Sequence, residues 1–325
     1  SDLGEDGARR VVSNALCAYW AFQGWGNSPA DFNAQFRDTV RLGCTAPSDG
    51  DTTPRLALDQ LLLSFSRWQY VTATNPRIVF LDTRTQRRYV DVLGLGQLVG
   101  PHELGWLRAK LRDIRKANPE LPVYIAAVTP VLGFMPVEWL QGVGRRLLKH
   151  VVSAVDLDFE SWIAQREGYF ELMRSILEVE ATECVFLSGD VHYGFVKYGT
   201  FKYGSKKCSI LQIVSSALHN EPLGASKLGY LEMFGSHSER RVGFVGGQFR
   251  NKLRRLVRPF LYDLPVYWGA TPRAIEDGEA WYDTSSVRRI GKHALIATSH
   301  IAVLRLARAR PAQVEFFRTR DESTV

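Results

Sequence analysis

The sequence predicts an α/β domain built on a parallel core, and three observations carry that expectation. Apolar runs rich in β-branched and aromatic residues at 77–82, 123–128 and 184–188 read as buried strands. Stretches with helical spacing of apolar residues lie between them, giving the β-α-β alternation of a parallel sheet. Each run also stops at a polar group: Asp82, Thr129 and, after Ser188-Gly189, Asp190. In a parallel sheet those groups meet at one edge, where open α/β sheets place their ligands.

Composition sets the outer limits. The chain has 325 residues, 45% hydrophobic and 23% charged, which is enough apolar content for a substantial core. Eight Trp, 12 Tyr and 17 Phe argue against disorder. A net charge of +7 favours anionic ligands, phosphate among them, without being basic enough to imply nucleic acid. Cys17, Cys44, Cys184 and Cys208 are widely spaced and read as buried reduced thiols, not as a disulfide framework or a cysteine zinc site. No apolar run is long enough for a transmembrane helix. The opening Ser-Asp-Leu-Gly-Glu-Asp-Gly carries no signal peptide and reads as the middle of a longer polypeptide or a processed product.

Taken in order, residues 8–23 have helical spacing at Val12, Ala15, Leu16, Tyr19 and Trp20, ended by Gly24-Trp25-Gly26-Asn27-Ser28-Pro29. Residues 43–53 read as a polar loop. Thr53-Pro54 opens a helix whose stripe is Leu58, Leu61, Leu62 and Phe65. A short strand over 68–73 precedes the 77–82 strand and the polar, basic segment 83–88. Leu104, Leu107, Leu111 and Ile114 mark a helix closed by Asn118-Pro119. Residues 131–157 read as a loop-rich excursion over an active face. Phe159, Trp162, Ile163, Phe170, Met173 and Leu177 mark a long amphipathic helix. Residues 193–198 and 209–216 read as a hairpin joined by turn residues 199–207. The stretch 221–290 is glycine-rich with poor periodicity. Its basic nonapeptide 250–258 reads as a solvated helix face, or as a surface for membrane or nucleic-acid phosphates. Residues 298–306 and 312–317 read as closing strands.

The chemistry concentrates in Gly189-Asp190-Val191-His192. In an extended segment Asp190 and His192 project to one side, which suits a divalent or trivalent cation; the alternative is a structural turn. Asp82 with Arg84 adds a carboxylate and a planar fork suited to phosphate, or is an ion pair that organises a turn. Metal-assisted phosphoester hydrolysis is one reaction that uses such a set.

Three stretches carry a family likeness: Leu81-Asp82-Thr83-Arg84-Thr85-Gln86-Arg87, Leu187-Ser188-Gly189-Asp190-Val191-His192-Tyr193-Gly194, and Ser215-Ser216-Ala217-Leu218-His219-Asn220. Together they resemble the PhoD-like alkaline phosphatase family of the metallophosphoesterase (calcineurin-like) superfamily. Residues 24–29 and 159–168 look like segments of large bacterial PhoD-like proteins, and the likeness spans residues 10–220. The resemblance implies an αββα metallophosphoesterase-like sandwich, with mixed sheets and flanking helices. It implies a metal-dependent phosphomonoesterase or phosphodiesterase, with calcium, iron, manganese or zinc ions and a phosphorylated small molecule or phosphodiester as substrate. Asp190 and His192 are then metal ligands. Asp82 and Arg84 are catalytic residues beside the metals, and Arg84, Tyr193 and Asn220 contact substrate, although Asn220 also reads as a turn cap.

The superfamily's N-terminal motifs of the type Gly-Asp-x-x-Asp and Gly-Asn-His-Asp do not occur before residue 82. The resemblance therefore implies the C-terminal half of such a domain, completed by the N-terminal half of the same parent protein. The alternative is a catalytically silent metallophosphoesterase-like domain with a binding or assembly role. The expected organisation is one domain portion: a helical opening segment (1–70), an α/β core (71–220), a loop-rich basic insertion (221–290) and closing strands (291–325). Nucleic acid is not the favoured partner. Location stays open, the cytoplasm being favoured over export.

Overall fold

The structure, a computed structural model, describes residues 6–21, 34–45, 53–86, 88–89, 96–133, 162, 166–191, 193–216, 238–245, 279–288, 295–296 and 300–318. By compactness the chain divides into two units, Ser1–Ala73 and Thr74–Val325.

In the first unit, α1 (Asp6–Tyr19), α2 (Ala34–Thr45) and α3 (Thr53–Ser64) precede a short strand, β1 (Tyr70–Val71). Their apolar stripes close over one cluster of Trp20, Val40, Leu58, Leu62 and Trp68. The expected stripe of α3 is borne out: Leu58 and Leu62 are fully buried, with Leu61 and Phe65 packed at the margin. Helix α2 was not expected, and its end takes in residues 43–45, read from the sequence as loop. Its one described core residue is Val40, so no periodic stripe marks it; packing decides the helix.

In the second unit the α/β expectation holds. One mixed sheet runs in the order β2 (Ile78–Phe80), β5 (Val123–Ala126), β6 (Glu183–Ser188), β8 (Lys206–Val214), β7 (Phe195–Tyr203), β10 (Glu279–Arg288), β9 (Ser238–Val245). The first four are parallel, with Val79 opposite Ile125, Ile125 opposite Phe186 and Phe186 opposite Gln212. The rest are antiparallel. A minor pair, β3 (Arg88–Tyr89) and β4 (Gly96–Gln97), lies beside α4 (Pro101–Ala117) in sequence.

Period-two alternation gives the central strands two buried faces. Tyr124, Val185, Val196, Leu211 and Ile213 line one of them, covered by Ala302, Leu304, Val314 and Phe316. Those four belong to the antiparallel pair β11 (His300–Ala307) and β12 (Arg310–Arg318), a second, two-stranded sheet. It is pinned by Tyr124 Oη donating to Ala309 O at 2.7 Å and by an Arg310–Glu183 ion pair at 2.7 Å. The opposite face carries Phe201 and Tyr203, which meet Tyr169 and Phe170 of α5 (Arg166–Glu178) edge to face. Helices thus cover one face and a hairpin the other.

Three sequence expectations need correction. The segment 199–207 is not a connecting loop: β7 and β8 run through it, and only Gly204-Ser205 turns, with Gly204 at φ +57°. The poorly periodic stretch 221–290 contains the long strands β9 and β10, whose sequences give mixed polar and apolar residues on both faces. Helix α5 begins at Arg166, and Trp162 lies in a turn before it. The nonapeptide 250–258 and residues 134–157 lie outside the described residues.

Candidate active site at the carboxyl edge

Four parallel strands deliver their ends to one edge, and the ladder continues past them. Leu81 N–H donates to Ala126 O (3.0 Å), Ala127 N–H to Leu187 O (3.0 Å), Gly189 N–H to Val128 O (3.0 Å) and Ser215 N–H to Ser188 O (2.9 Å). The loops that follow are tied across the edge by hydroxyls. Ser188 Oγ donates to Thr129 O (3.3 Å), and Ser216 Oγ donates to Tyr193 O (3.0 Å) while accepting Val191 N–H (3.3 Å). Inside, Gln212 Oε1 accepts Val131 N–H at 3.0 Å and the buried Lys197 Nζ donates to Gly133 O at 2.8 Å, fixing the chain after β5.

The turn after β2 is built on Asp82. The residue is 2% exposed. Oδ1 accepts Arg84 N–H (3.1 Å) and Thr85 N–H (2.8 Å), and Oδ2 accepts the Thr85 hydroxyl. This is the side chain of an Asx-type turn, with three local donors on its two oxygens. The Arg84 side chain, turned outward, reaches across the edge to the Asp190 carboxylate, 106 residues away. Their side chains are 45% and 39% exposed. An ion pair that open to water contributes about 0–1 kcal/mol, so stability does not account for it.

The structure thus brings Asp82, Arg84 and Asp190 together, but not as the sequence suggested. In place of the alternative Asp82–Arg84 ion pair, the carboxylate holds the arginine's backbone, and the guanidinium goes to Asp190. The segment after β6 is also not extended. Asp190 sits at φ 59°, the left-handed region, which costs about 1 kcal/mol for a residue with a Cβ. The alternation argument for Asp190 and His192 therefore fails. Gly189 is needed for a different reason than conformational freedom: a Cβ there would lie 3.0 Å from Ser215 O. Tyr193, expected at the substrate, is 7% exposed and its ring stacks on Phe195 at 5.8 Å. His192 and Asn220 lie outside the described residues.

One residue of this edge was missed. Glu103, in the first turn of α4, is 0% exposed, and its Oε1 accepts Asp82 N–H at 3.0 Å. Burial pushes its carboxyl up to about 8; the Asp82 N–H opposes that rise and the Asp82 charge adds to it. The helix N-terminus also favours the anion, by about 0.3–1 kcal/mol, too little to offset burial. The signal was legible: Glu103 stands four and eight residues before the buried Leu107 and Leu111, on the core stripe of its helix.

Among the described residues no group of three or more His, Cys, Asp or Glu is placed to hold a metal ion. Asp82 is filled by its own turn and Asp190 is met by a guanidinium. These donors do not by themselves fit a metal.

No family model matches the chain, and no curated protein matches it. Among solved structures, PhoD is similar at a TM-score of 0.28 and 13% identity, over 47% of this chain and 29% of the PhoD chain. The chain therefore spans less than a third of that protein. A likeness this low carries no argument about function, which rests on the residues.

Proposed function

We propose that this chain contributes to the active site of a phosphoester hydrolase of the metallophosphoesterase type, and that the Arg84–Asp190 edge is where the phosphoryl group binds. The observation that supports this most is the construction of Arg84. Its backbone is anchored by the buried Asp82, its guanidinium is half exposed, and it spans two strand ends of a parallel sheet. A guanidinium so presented offers a planar fork of donors to a tetrahedral dianion. The ion pair with Asp190 that such a phosphoryl oxygen would replace is screened by solvent.

In this reading Asp82 positions, Arg84 binds and orients the phosphoryl group, and Asp190 sits within reach of the same group. The motif order of the PhoD-like family agrees with it. Metal ions belong to the reading through that resemblance alone, and no step is derived through them. Phosphorylated small molecules fit the exposed edge as substrates. A second reading, a domain that binds phosphorylated partners without turnover, is favoured by the lack of a three-ligand group among the described residues.

The two separate in one experiment on the full-length natural protein. Hydrolysis of an aryl phosphate is measured with added calcium, manganese, iron or zinc, beside binding of inorganic phosphate. Turnover that Asp190→Ala abolishes supports the hydrolase. Phosphate binding without turnover supports the silent domain. No phosphate binding that depends on Arg84 sinks both.

A further inference from the structure

Beneath the turn that presents Arg84 lies a carboxyl pair that the proposed chemistry does not use. Asp82 and Glu103 are both buried and in direct contact, through Asp82 N–H to Glu103 Oε1 at 3.0 Å. The two differ in their partners. Asp82 accepts from two backbone N–H groups and a hydroxyl, the pattern of an ionised carboxylate. Glu103 accepts from one N–H only, and its Oε2 is buried with no hydrogen-bond partner among the described residues. Asp82 is the charged group that acts on it. Leu104 and Leu107 follow it in α4, and Val79, Leu81, Val123 and Ile125 stand on or beside β2 and β5; all are buried and apolar. His102, next to it on α4, is exposed to water, and Arg108, the nearest Lys or Arg along the helix, is engaged with Glu178 of α5 at 3.7 Å. Among the described residues no cation pairs with Glu103, and burial favours its neutral acid.

We propose that Glu103 is a positioning residue: held as the neutral acid under the turn, it fixes Asp82 and, through Asp82, the reach of Arg84 to the phosphoryl site. Ionising Glu103 leaves a charge where burial opposes it, a cost that exceeds the gain in the Asp82 N–H bond and to which the Asp82 charge adds. The turn then loosens and Arg84 loses its aim. The edge is therefore competent at neutral pH and weakened in alkali. The raised carboxyl described above agrees in direction. In its bearing on phosphate the proposal rests on the function proposed above; the coupling within the turn does not.

The experiment uses the whole chain with its glutamate carboxyl carbons labelled with carbon-13. One carboxyl is expected to titrate near 8, with the amide resonances of Asp82, Arg84 and Thr85 moving at the same midpoint. Glu103→Gln is expected to remove that midpoint. Inorganic phosphate is then titrated into both proteins. They should bind it equally at pH ~6, while at pH ~9 the wild type binds about tenfold more weakly than Glu103→Gln, one unit of proton coupling. No glutamate midpoint above pH ~6 overturns the proposal, since the neutral acid is then absent. A high midpoint that the turn amides ignore overturns it too. Should Glu103→Gln not fold, the wild-type carboxyl and amide titrations decide alone. Coupled titration with no phosphate binding at any pH leaves the positioning role standing and removes the phosphoester reading.

Discussion

Two arginine–aspartate networks in this chain are made of the same residue types and differ in where the arginine is spent. In the helical unit, Arg55 and Asp59 stand four residues apart on α3 and pair at 3.1 Å. Ser13 of α1 donates to Asp59 Oδ1 at 2.5 Å and accepts from Arg55 at 2.7 Å, and Arg55 also reaches Asn14 Oδ1 at 2.5 Å. The network closes on itself, with Ser13 and Asp59 buried. It ties two helices together. At the sheet edge Asp82 is closed by its own turn, and Arg84 is sent out to a distant, half-exposed carboxylate. The first network uses its charges to hold structure. The second holds structure with backbone bonds and sends its guanidinium to a half-exposed carboxylate.

The largest expected effect concerns Glu103. The unfolded chain ionises it above its ordinary 4.5, while the folded chain keeps its proton to about 8. Between those values the folded state binds more protons, so stability falls as pH rises across that window and levels off above it. The full loss is on the order of 3–5 kcal/mol. Urea unfolding of the wild type should show this slope, and Glu103→Gln should flatten it. Equal slopes would show that another group dominates.

Next come the two anchoring aspartates. Asp82→Ala leaves two N–H groups and a hydroxyl of the turn without their acceptor, and Asp59→Ala takes from Ser13 the nearer of its two acceptors and from Arg55 its charge partner. Each should cost about 1–3 kcal/mol in thermal or chemical unfolding. Only Asp82→Ala should also abolish phosphate binding, and if Asp59→Ala did so as well the contrast between the networks would collapse. Smaller again is Gly189→Ala, whose Cβ meets Ser215 O at 3.0 Å. It should destabilise by about 1 kcal/mol through a shift of the β6–β8 edge, read as moved amide resonances at Asp190 and Ser216.

The legible parts of the fold were those where one face pattern dominates. Strands at 77–82, 123–128 and 184–188 declared themselves because both faces are buried, and α3 and α4 because Leu repeats at helical spacing. Helix α2, with Val40 as its one described core residue, and strands β9 and β10, with mixed side chains, carry no such pattern. In the site, Asp82, Arg84 and Asp190 were found because each follows a strand. Their connections were not legible, because they depend on a left-handed Asp190 and on an Asx turn that reverses which group of Arg84 meets Asp82. Glu103 was overlooked because an acidic residue in the first turn of a helix usually serves the helix end; here the core stripe places it under the site.

Arg84→Ala separates a ligand-binding role of this arginine from a stabilising one. Phosphate binding is followed by phosphorus-31 NMR and unfolding by urea on the same samples. If Arg84 binds the phosphoryl group, stability changes by less than about 1 kcal/mol, while phosphate affinity falls about 10- to 100-fold with the loss of a charge-assisted contact. Unchanged phosphate affinity, with or without a drop in stability, would contradict it.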